Sequence, residues 1–405
     1  MKVAVAGITL AALVIAGCSS SKSATPIPPA SSWTVPSSAP SHVSPRPTPP
    51  PTTEKPSPTH SSPPTQNGAQ RILQRMDEAE RVGQLFMVGA ASDGPNSDTT
   101  SAITTHHVGS VILTNTSSRS VDQIAAVSRQ LQQEARTTRL FVATDQEGGQ
   151  VQRLQGPGFD TIPDGRQQGE MSPQQLRTDA RRWGGQLRAA GVNLDLAPVV
   201  DTVPDGANNP PIGDLNRQFG DNPAAVASHG TAFAQGMAEA GVDATIKHFP
   251  GLGRVAGNTD TTSGVTDSVT ARHDPYLAPF VAGVQAGVPF VMVSTAIYSR
   301  IDPDHPAAFS PTVVTGMLRG DLHFKGVVIS DDVGGAAQVA AFSPGTRAVD
   351  FIAAGGDVVL TVNAAQIPEM TAAVLARAKT DATFRAEVDA AALRVLTAKQ
   401  ASGLL

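Results

Sequence analysis

Charged side chains follow three apolar segments of the sequence, at the point where each segment ends. They are Asp145, the pair Lys247-His248 and the pair Asp331-Asp332. A carboxylate directly after a buried strand is costly to desolvate without a partner, so it is usually either paired or functional. Successive side chains of a strand point to opposite faces, so only one of Asp331 and Asp332 can face a shared site. The other is expected to cap a loop or a helix.

Two arginines and a glutamate lie near these segments in the sequence. Arg153 follows Asp145 across a double glycine, and Arg217 lies in the long loop after Asp201. Glu147 fits a capping or salt-bridge role, and we assign it no chemical role. Any one of these residues alone would be interpreted as structural, but carboxylates, cations and a histidine together suit the hydroxyl groups of a sugar. Hydrolysis of a glycosidic bond then needs an acid for the leaving oxygen and a carboxylate beneath the anomeric carbon.

The elements that must position these residues are eight short apolar segments separated by stretches of helical character. The segments are Gln84–Val88, Ser110–Thr114, Leu140–Thr144, Val192–Leu196, Asp243–Ile246, Phe290–Ser294, Gly326–Ile329 and Asp357–Thr361, and the helical stretches include Val121–Arg136, Pro173–Ala190 and Ala224–Ala240. Apolar runs that alternate with helices predict a parallel sheet buried on both faces. The predicted fold is therefore α/β, a single (β/α)8 barrel of TIM type.

Polar or charged residues closely follow six of the eight segments. They are Asn115, Asp145 to Glu147, Asp201, Lys247-His248, Asp331-Asp332 and Asn363. In a closed barrel all of them lie at the C-terminal rim, where the βα loops build active sites. An open doubly wound sheet also places polar residues at strand ends, but the sequence lacks the glycine-rich phosphate loop expected after the first strand of such a sheet. We therefore predict the closed barrel.

The first 70 residues differ in composition from the rest of the chain. Residues 1–17 have a basic start and an apolar run too short to span a bilayer, which predicts a signal peptide. Ala16 and Gly17 precede Cys18, the one cysteine of the chain, and resemble a bacterial lipobox, although an ordinary signal peptide with a chance cysteine is the alternative. Residues 18–70, rich in Ser, Thr and Pro, predict a lipidated N-terminus and a disordered tether. Residues 71–405 are expected to form the folded domain.

The net charge of −5 is spread along the chain with both signs intermixed. The sequence contains no basic stripe and no basic patch interleaved with aromatic residues, so nucleic acid is not an expected partner. Membrane contact is expected only through the lipid on Cys18. The protein is therefore predicted to be exported and anchored to the outer face of the cell membrane, facing the wall.

Three motifs resemble those of the family 3 glycoside hydrolases, in particular the single-barrel β-N-acetylglucosaminidases. They are Asp145–Gly149 with Val151–Arg153, Lys247–Gly251 and Ser330–Asp332. The resemblance extends over essentially the whole predicted domain, including Val82–Gly89. It implies a retaining hydrolase that works through a covalent glycosyl-enzyme, with no metal or organic cofactor. The substrates that it implies are N-acetylglucosamine-terminated fragments of cell-wall peptidoglycan.

Site residues follow from the same resemblance, by their position in the motifs. It assigns Asp331, the first of the two aspartates, as the nucleophile. It also implies that the terminal sugar is bound by five residues, namely Asp145, Arg153, Arg217, Lys247 and His248.

The chain departs from the family where the acid/base histidine is expected. In this subgroup a mobile loop after the Lys-His pair carries Asp-Ser-His, and ungapped counting from Lys247 puts Asn258, Thr259 and Asp260 there. Asp260 would then be the general acid/base, held by Asn258, provided that burial favours its protonated form. A two-residue insertion would instead put Thr262 in the histidine position, and threonine is no acid near neutral pH.

Three functions stay open at this point. The first is a β-N-acetylglucosaminidase that uses Asp331 and Asp260, and the second is a β-glycosidase of other sugar specificity. The third is a lipoprotein that binds wall glycan without cleaving it. Leu252, which replaces a histidine often found in the family, makes the loop less polar than usual. Asp331 favours an enzyme, because a binder would not need the nucleophile.

Overall fold

The computed structural model describes residues 67–405 as a barrel of eight parallel strands. The strands are β1 (Phe86–Ala90), β2 (Ser110–Leu113), β3 (Phe141–Thr144), β4 (Leu194–Asp195), β5 (Asp243–Phe249), β6 (Phe290–Val293), β7 (Val327–Ser330) and β8 (Val359–Thr361). Neighbours in the chain pair from β1 to β7, β8 pairs with β1, and an isolated parallel bridge joins Ile329 to Val358. The predicted TIM-type fold is confirmed.

All eight predicted segments overlap a strand, and the differences at their ends are most informative in three strands. β1 begins at Phe86 because Gln84 caps the preceding helix in a helical conformation. β4 is reduced to Leu194–Asp195. β5 continues through Phe249, so Lys247 and His248 lie within the strand and not after it.

Helices surround the barrel, and most of them begin after a residue whose side chain caps the first turn. They are α1 (Gly68–Arg75), α2 (Glu78–Gly83), α3 (Ser97–Thr104), α4 (Val121–Glu134), α5 (Gly165–Gly169), α6 (Pro173–Ala189), α7 (Pro223–Glu239), α8 (Ala278–Gln285), α9 (Pro344–Ala353), α10 (Ile367–Thr380) and α11 (Ala382–Ala401), with a π-helix at Thr312–Asp321. Ser120, Ser172 and Ser343 each accept a backbone N–H of the first turn of α4, α6 and α9. These side chains satisfy amides that the helix itself leaves unpaired.

The barrel interior is filled by alternate side chains of the strands. Its apolar cluster includes Met87, Ile112, Phe141, Leu194, Phe290, Met292, Val327, Ile329 and Leu360. Phe141 and Phe290 meet edge to face with their ring centroids 5.2 Å apart. Val395 and Leu404, in and after α11, belong to the same cluster and pack beneath the strands. A site can therefore open only at the other, C-terminal end of the barrel.

Short strands outside the barrel shape the loops of that end. Gln146–Gly148 pairs antiparallel with Val151–Gln152, and this hairpin brings the Arg153 amide to the carbonyl of Asp145 at 3.1 Å. A second small sheet joins Thr266–Asp267, Ile297–Tyr298 and Asp302–Pro306. The predicted signal peptide, lipidated Cys18 and almost all of the tether lie outside the described residues. Between residues 67 and 405 no helix is both long and apolar enough to cross a membrane.

Candidate active site

A cavity of about 310 Å³ lies at the C-terminal rim of the barrel. Its lining includes all the predicted site residues of the folded part, namely Asp145, Arg153, Arg217, Lys247, His248, Asp260 and Asp331. Ile112, Leu196 and Met292 contribute apolar surface from the barrel interior. Asn115, Asp201 and Asn363, which were also expected at the rim, do not contribute to this lining. The size falls within the range typical of pockets for small ligands.

Two cations and two carboxylates form a connected cluster on one wall of the cavity. Lys247 Nζ lies 2.7 Å from Asp145 Oδ1 and 2.6 Å from Glu147 Oε1. Arg217 donates to both oxygens of Glu147, at 2.8 Å through Nε and 2.7 Å through Nη2. Asp145 and Glu147 are two residues apart in an extended segment, so their side chains lie on the same face.

Glu147 is the residue of this cluster whose importance the sequence understated. Burial favours its neutral form, yet Arg217 and Lys247 outweigh burial and hold the pKa of the glutamate well below its usual range. Burial likewise opposes the charged form of Lys247, but Asp145 and Glu147 raise its pKa. Glu147 and Lys247 therefore keep their charges at neutral pH. The salt-bridge alternative for Glu147 was the right one, and its spacing of two from Asp145 was the available signal.

Asp201 holds His248 at the base of the cavity. Its Oδ2 lies 2.7 Å from Nδ1 of the histidine, and its Oδ1 accepts the backbone amides of His248 at 3.1 Å and Leu252 at 2.8 Å. Asp201 is fully buried. Because the acceptor occupies Nδ1, the Nε2 atom of His248 is left to face a ligand. The sequence placed Asp201 at the rim but did not assign it this role.

Asp331 and Asp332 have different environments, as expected for adjacent residues. The carboxylate of Asp332 accepts three backbone amides, from Gly334, Gly335 and Val362, and so holds the loop after β7. Asp331 accepts the amide of Asp332 at 2.9 Å. Burial raises the pKa of Asp331, His248 lowers it, and the nearby charge of Asp260 raises it further. Both aspartates line the cavity, but the Asp332 carboxylate is occupied by backbone amides, whereas Asp331 interacts electrostatically with His248 and Asp260.

Asp260 lies in the loop that follows β5 and lines the same cavity as Asp331. Thr262, the residue in the alternative register, does not contribute to the lining. Asn258 accepts the backbone amide of Asp260 at 2.9 Å, so it shapes the loop backbone and does not hold the carboxylate as expected. The side chain of Asp260 is exposed, so the protein alone does not supply the burial that an acid role requires. A bound saccharide would have to cover it.

Arg153 places a further cation in the lining of the cavity. Its Nε atom has no hydrogen-bond partner among residues 67–405, but it is buried and out of reach of a ligand. The guanidinium can bind an acceptor oxygen of a ligand through its other nitrogens.

Asp195, at the end of β4, is a buried carboxyl group that the sequence did not single out. It accepts the Gln146 amide at 3.0 Å, and burial raises its pKa to about 8. At neutral pH it is therefore mostly protonated and adds little negative charge beneath Asp145 and Glu147. Residues 67–405 contain no group of three or more acidic, histidine or cysteine side chains arranged to hold a metal ion.

The chain matches the sequence model of the glycosyl hydrolase family 3 N-terminal domain over residues 78–398. A β-hexosaminidase of Stenotrophomonas maltophilia (strain K279a) is 37% identical over 281 residues, which cover 67% of this chain and 81% of that protein. A β-hexosaminidase of Xanthomonas campestris (strain B100) is 35% identical over 285 residues, covering 67% of this chain and 82% of that protein.

A solved structure from Beutenbergia cavernae, a β-N-acetylhexosaminidase, is similar with a TM-score of 0.79 and 51% identity, covering 80% of this chain and 99% of that one. A family 3 β-N-acetylglucosaminidase from Paenibacillus has a TM-score of 0.75 and 30% identity, covering 81% of this chain and 63% of that one. These matches confirm the family that the motifs predicted. The chain belongs to glycosyl hydrolase family 3 and is a glycoside hydrolase.

Proposed function

We propose that the protein is a retaining β-N-acetylglucosaminidase that removes terminal β-linked N-acetylglucosamine from cell-wall saccharides. The observation that carries this proposal is the presence of Asp331 and Asp260 in one cavity beside the charged cluster of Asp145, Glu147, Arg217 and Lys247. The names of the relatives support the same sugar class, since those proteins are β-hexosaminidases and β-N-acetylglucosaminidases. A cell-wall substrate is consistent with the export predicted from the first 18 residues.

Two carboxyl groups would divide the chemistry of the reaction. Asp331 attacks the anomeric carbon while Asp260 gives its proton to the leaving oxygen, and a covalent glycosyl-enzyme forms. Asp260, now ionised, takes a proton from water, which attacks the anomeric carbon and releases Asp331. Lys247 and His248 favour the ionised nucleophile, opposing the effect of burial. Desolvation by the bound saccharide favours the protonated acid.

The charged cluster would hold the terminal sugar during both steps. Lys247 is paired directly with Asp145 and is linked to Arg217 through Glu147, so little reorganisation is needed when hydroxyl groups bind. His248, held through Nδ1 by Asp201, presents its other ring nitrogen. Arg153 adds a further cation to the lining of the cavity.

The role of Asp260 is tested by Asp260→Ala against two kinds of substrate. A sugar alkoxide cannot leave without a proton, so disaccharide cleavage should fall by about 100-fold or more. An activated aryl glycoside should still react in the first step and then stall at the glycosyl-enzyme. Azide, which needs no base, should restore turnover and give a β-glycosyl azide. Thr262→Ala is the matched control in the same loop and should have little effect.

Three kinds of result would contradict this proposal. Disaccharide cleavage by Asp260→Ala at the parent rate, or no effect of azide, would show that another group is the acid/base. A parent protein that binds N-acetylglucosamine saccharides but hydrolyses none would make it a glycan-binding lipoprotein. Faster cleavage of an aryl glucoside than of the aryl N-acetylglucosaminide would indicate the second function considered from the sequence, a β-glycosidase of other sugar specificity.

We also propose that a lipid on Cys18 anchors the protein to the outer face of the membrane. Small residues before a single cysteine at the end of an apolar leader support this location. Cys18→Ala should release the protein into the soluble fraction without changing the activity of the folded part. Membrane fractionation that finds the variant still anchored would reject the lipobox.

A further inference from the structure

The loop between β5 and the Thr266–Asp267 strand carries Asp260 and is fixed at several points. In its first half, Asn209 donates to the carbonyls of Leu252 and Val255, at 2.8 and 2.9 Å. Asn209 is fully buried, and its own Oδ1 accepts the Gly213 amide at 2.8 Å. The first half of the loop is therefore tied to the loop that carries Arg217.

Gln338 fixes the second half of the same loop. Its side-chain oxygen accepts the amide of Val265 at 2.8 Å, and its side-chain nitrogen donates to the carbonyl of Val265 at 3.2 Å. The backbone amides of Ala337 and Gln338 add two more hydrogen bonds to the loop. Gln338 N donates to the Thr259 carbonyl at 3.0 Å, and Ala337 N donates to the Asp260 carbonyl at 3.1 Å. Gln338 is 8% exposed, so water competes little for these bonds.

These contacts pin both ends of a short exposed segment. Thr259 and Val265 are buried, and residues 260–264 between them are exposed. Gln338 lies six residues after Asp332, on the loop that also carries Asp331. The loop of the acid/base candidate is thus hydrogen-bonded directly to the loop of the nucleophile candidate.

We propose that Gln338 is a positioning residue that holds Asp260 at a fixed distance from Asp331, an inference that rests on the proposed function. An aspartate carboxyl group reaches less far from the backbone than the distal ring nitrogen of a histidine. A loop that carries aspartate must therefore keep its backbone close to the scissile bond, and a loosened loop would withdraw the carboxyl group. Proton transfer depends steeply on such placement.

The test compares Gln338→Ala with the full-length parent on two substrates. Loss of two hydrogen bonds should lower kcat/KM for a disaccharide by about 10- to 100-fold. The first step with an activated aryl glycoside should change little, because its leaving group needs no proton, and azide should raise the steady-state rate. The Val265 amide should exchange its hydrogen at least about 10-fold faster.

Gln338→Glu distinguishes positioning from a merely structural loss. A glutamate keeps the bond to the Val265 amide but faces the carbonyl with an acceptor while it is ionised. Once protonated, it can donate to that carbonyl again. The ratio of its kcat/KM to that of the parent should therefore rise as the pH falls toward about 5, whereas the ratio for Gln338→Ala should stay flat.

Gln132 supplies a matched control at the opposite end of the barrel. The side-chain oxygen of Gln132 accepts the backbone amide of Leu140, and its side-chain nitrogen donates to the Leu140 carbonyl, both at 2.9 Å. Gln338 makes the same pair of hydrogen bonds to Val265. Gln132→Ala should accelerate exchange at Leu140 and leave the kinetics on both substrates unchanged.

Three outcomes separate this inference from the proposed function. If Gln338→Ala lowers kcat/KM equally for the disaccharide and the aryl glycoside, or leaves kcat/KM for the disaccharide unchanged, Gln338 does not position Asp260. Asp260 would still be the acid/base in either case. An unchanged rate of hydrogen exchange at the Val265 amide would show that the Gln338 side chain does not hold the loop. If the parent hydrolyses no glycoside, the proposed function and the positioning role both fail, and the exchange result still decides whether Gln338 holds the loop.

Discussion

The barrel buries a lysine at each end, and the two have opposite surroundings. Lys247, at the C-terminal end, lies between the carboxylates of Asp145 and Glu147, which raise its pKa against the effect of burial. Lys399, in α11, donates to Gln84 at 2.7 Å and Thr138 at 2.9 Å, which are both neutral. Burial lowers the pKa of Lys399 to about 7.

The difference shows what a buried cation needs in order to stay charged in this fold. At the rim every cation in the cluster has a carboxylate partner, so the charges persist in a low-dielectric site and can act on a ligand. Lys399 is fully buried and lies 5.9 Å from the centre of the Phe141 ring, in the apolar base of the barrel. Lys399 is a structural residue, and its burial is compatible with the fold because the side chain readily gives up its proton.

Replacement of each lysine by methionine should give the largest contrast. Lys247→Met leaves Asp145 without its cation and removes a donor to the sugar, so kcat/KM should fall by about 100- to 1,000-fold. Lys399→Met should leave kcat and KM unchanged, because Lys399 lies outside the cavity lining. Steady-state kinetics on one aryl glycoside would measure both. A large kinetic effect of Lys399→Met would contradict the assignment of chemistry to the rim alone.

A smaller effect is expected when Asp357 is replaced. Asp357 is the buried carboxylate that pairs with two arginines at the Lys399 end of the barrel. It lies 2.5 Å from Arg319 Nη2 and 2.7 Å from Arg394 Nε. Asp357→Asn should lower the free energy of unfolding by about 3–5 kcal/mol, because it leaves two arginines without their counter-charge. Denaturant unfolding would measure the loss, and specific activity at low temperature should match the parent. A loss of activity without a loss of stability would contradict this structural role.

The smallest effect concerns the pH dependence of stability. Between the folded pKa of Lys399, about 7, and its ordinary value of 10.5, the unfolded chain binds more protons than the folded one. The free energy of unfolding that depends on Lys399 should therefore rise with pH across this window. Lys399→Met should exceed the parent in stability below pH 7, and the advantage should shrink toward pH 10.5. A difference independent of pH would show that Lys399 keeps its proton when folded.

The sequence predicted the barrel because its apolar strands and capped helices are local signals with regular spacing. It also predicted which residues share the rim, since the carboxyl ends of parallel strands meet at one end of a barrel. It missed the roles of Asp201 and Gln338, because their partners lie 47 and 73 residues away along the chain. Such pairings depend on loop conformations that propensity and periodicity do not determine.

The loop after β5 shows the same limit in detail. Counting without a gap identified Asp260 as the residue that reaches the cavity, and the structure places it there while leaving Thr262 outside the lining. The expected contact of Asn258 with the Asp260 carboxylate was wrong, because a short amide side chain reaches the backbone amide two residues ahead more readily. Residue type and spacing indicated the candidate, but only the folded loop shows what holds it.

Trapping the glycosyl-enzyme tests the central proposal most directly. A 5-fluoro N-acetylglucosamine β-glycoside with an activated leaving group should inactivate the protein and add the mass of one fluorosugar residue. Peptide mass spectrometry should locate that mass on Asp331, and Asp331→Ala should fold normally and take up no label. Labelling of Asp332, whose carboxylate is occupied by three backbone amides, would contradict the assignment. Product of inverted anomeric configuration from a natural substrate would contradict the retaining mechanism itself.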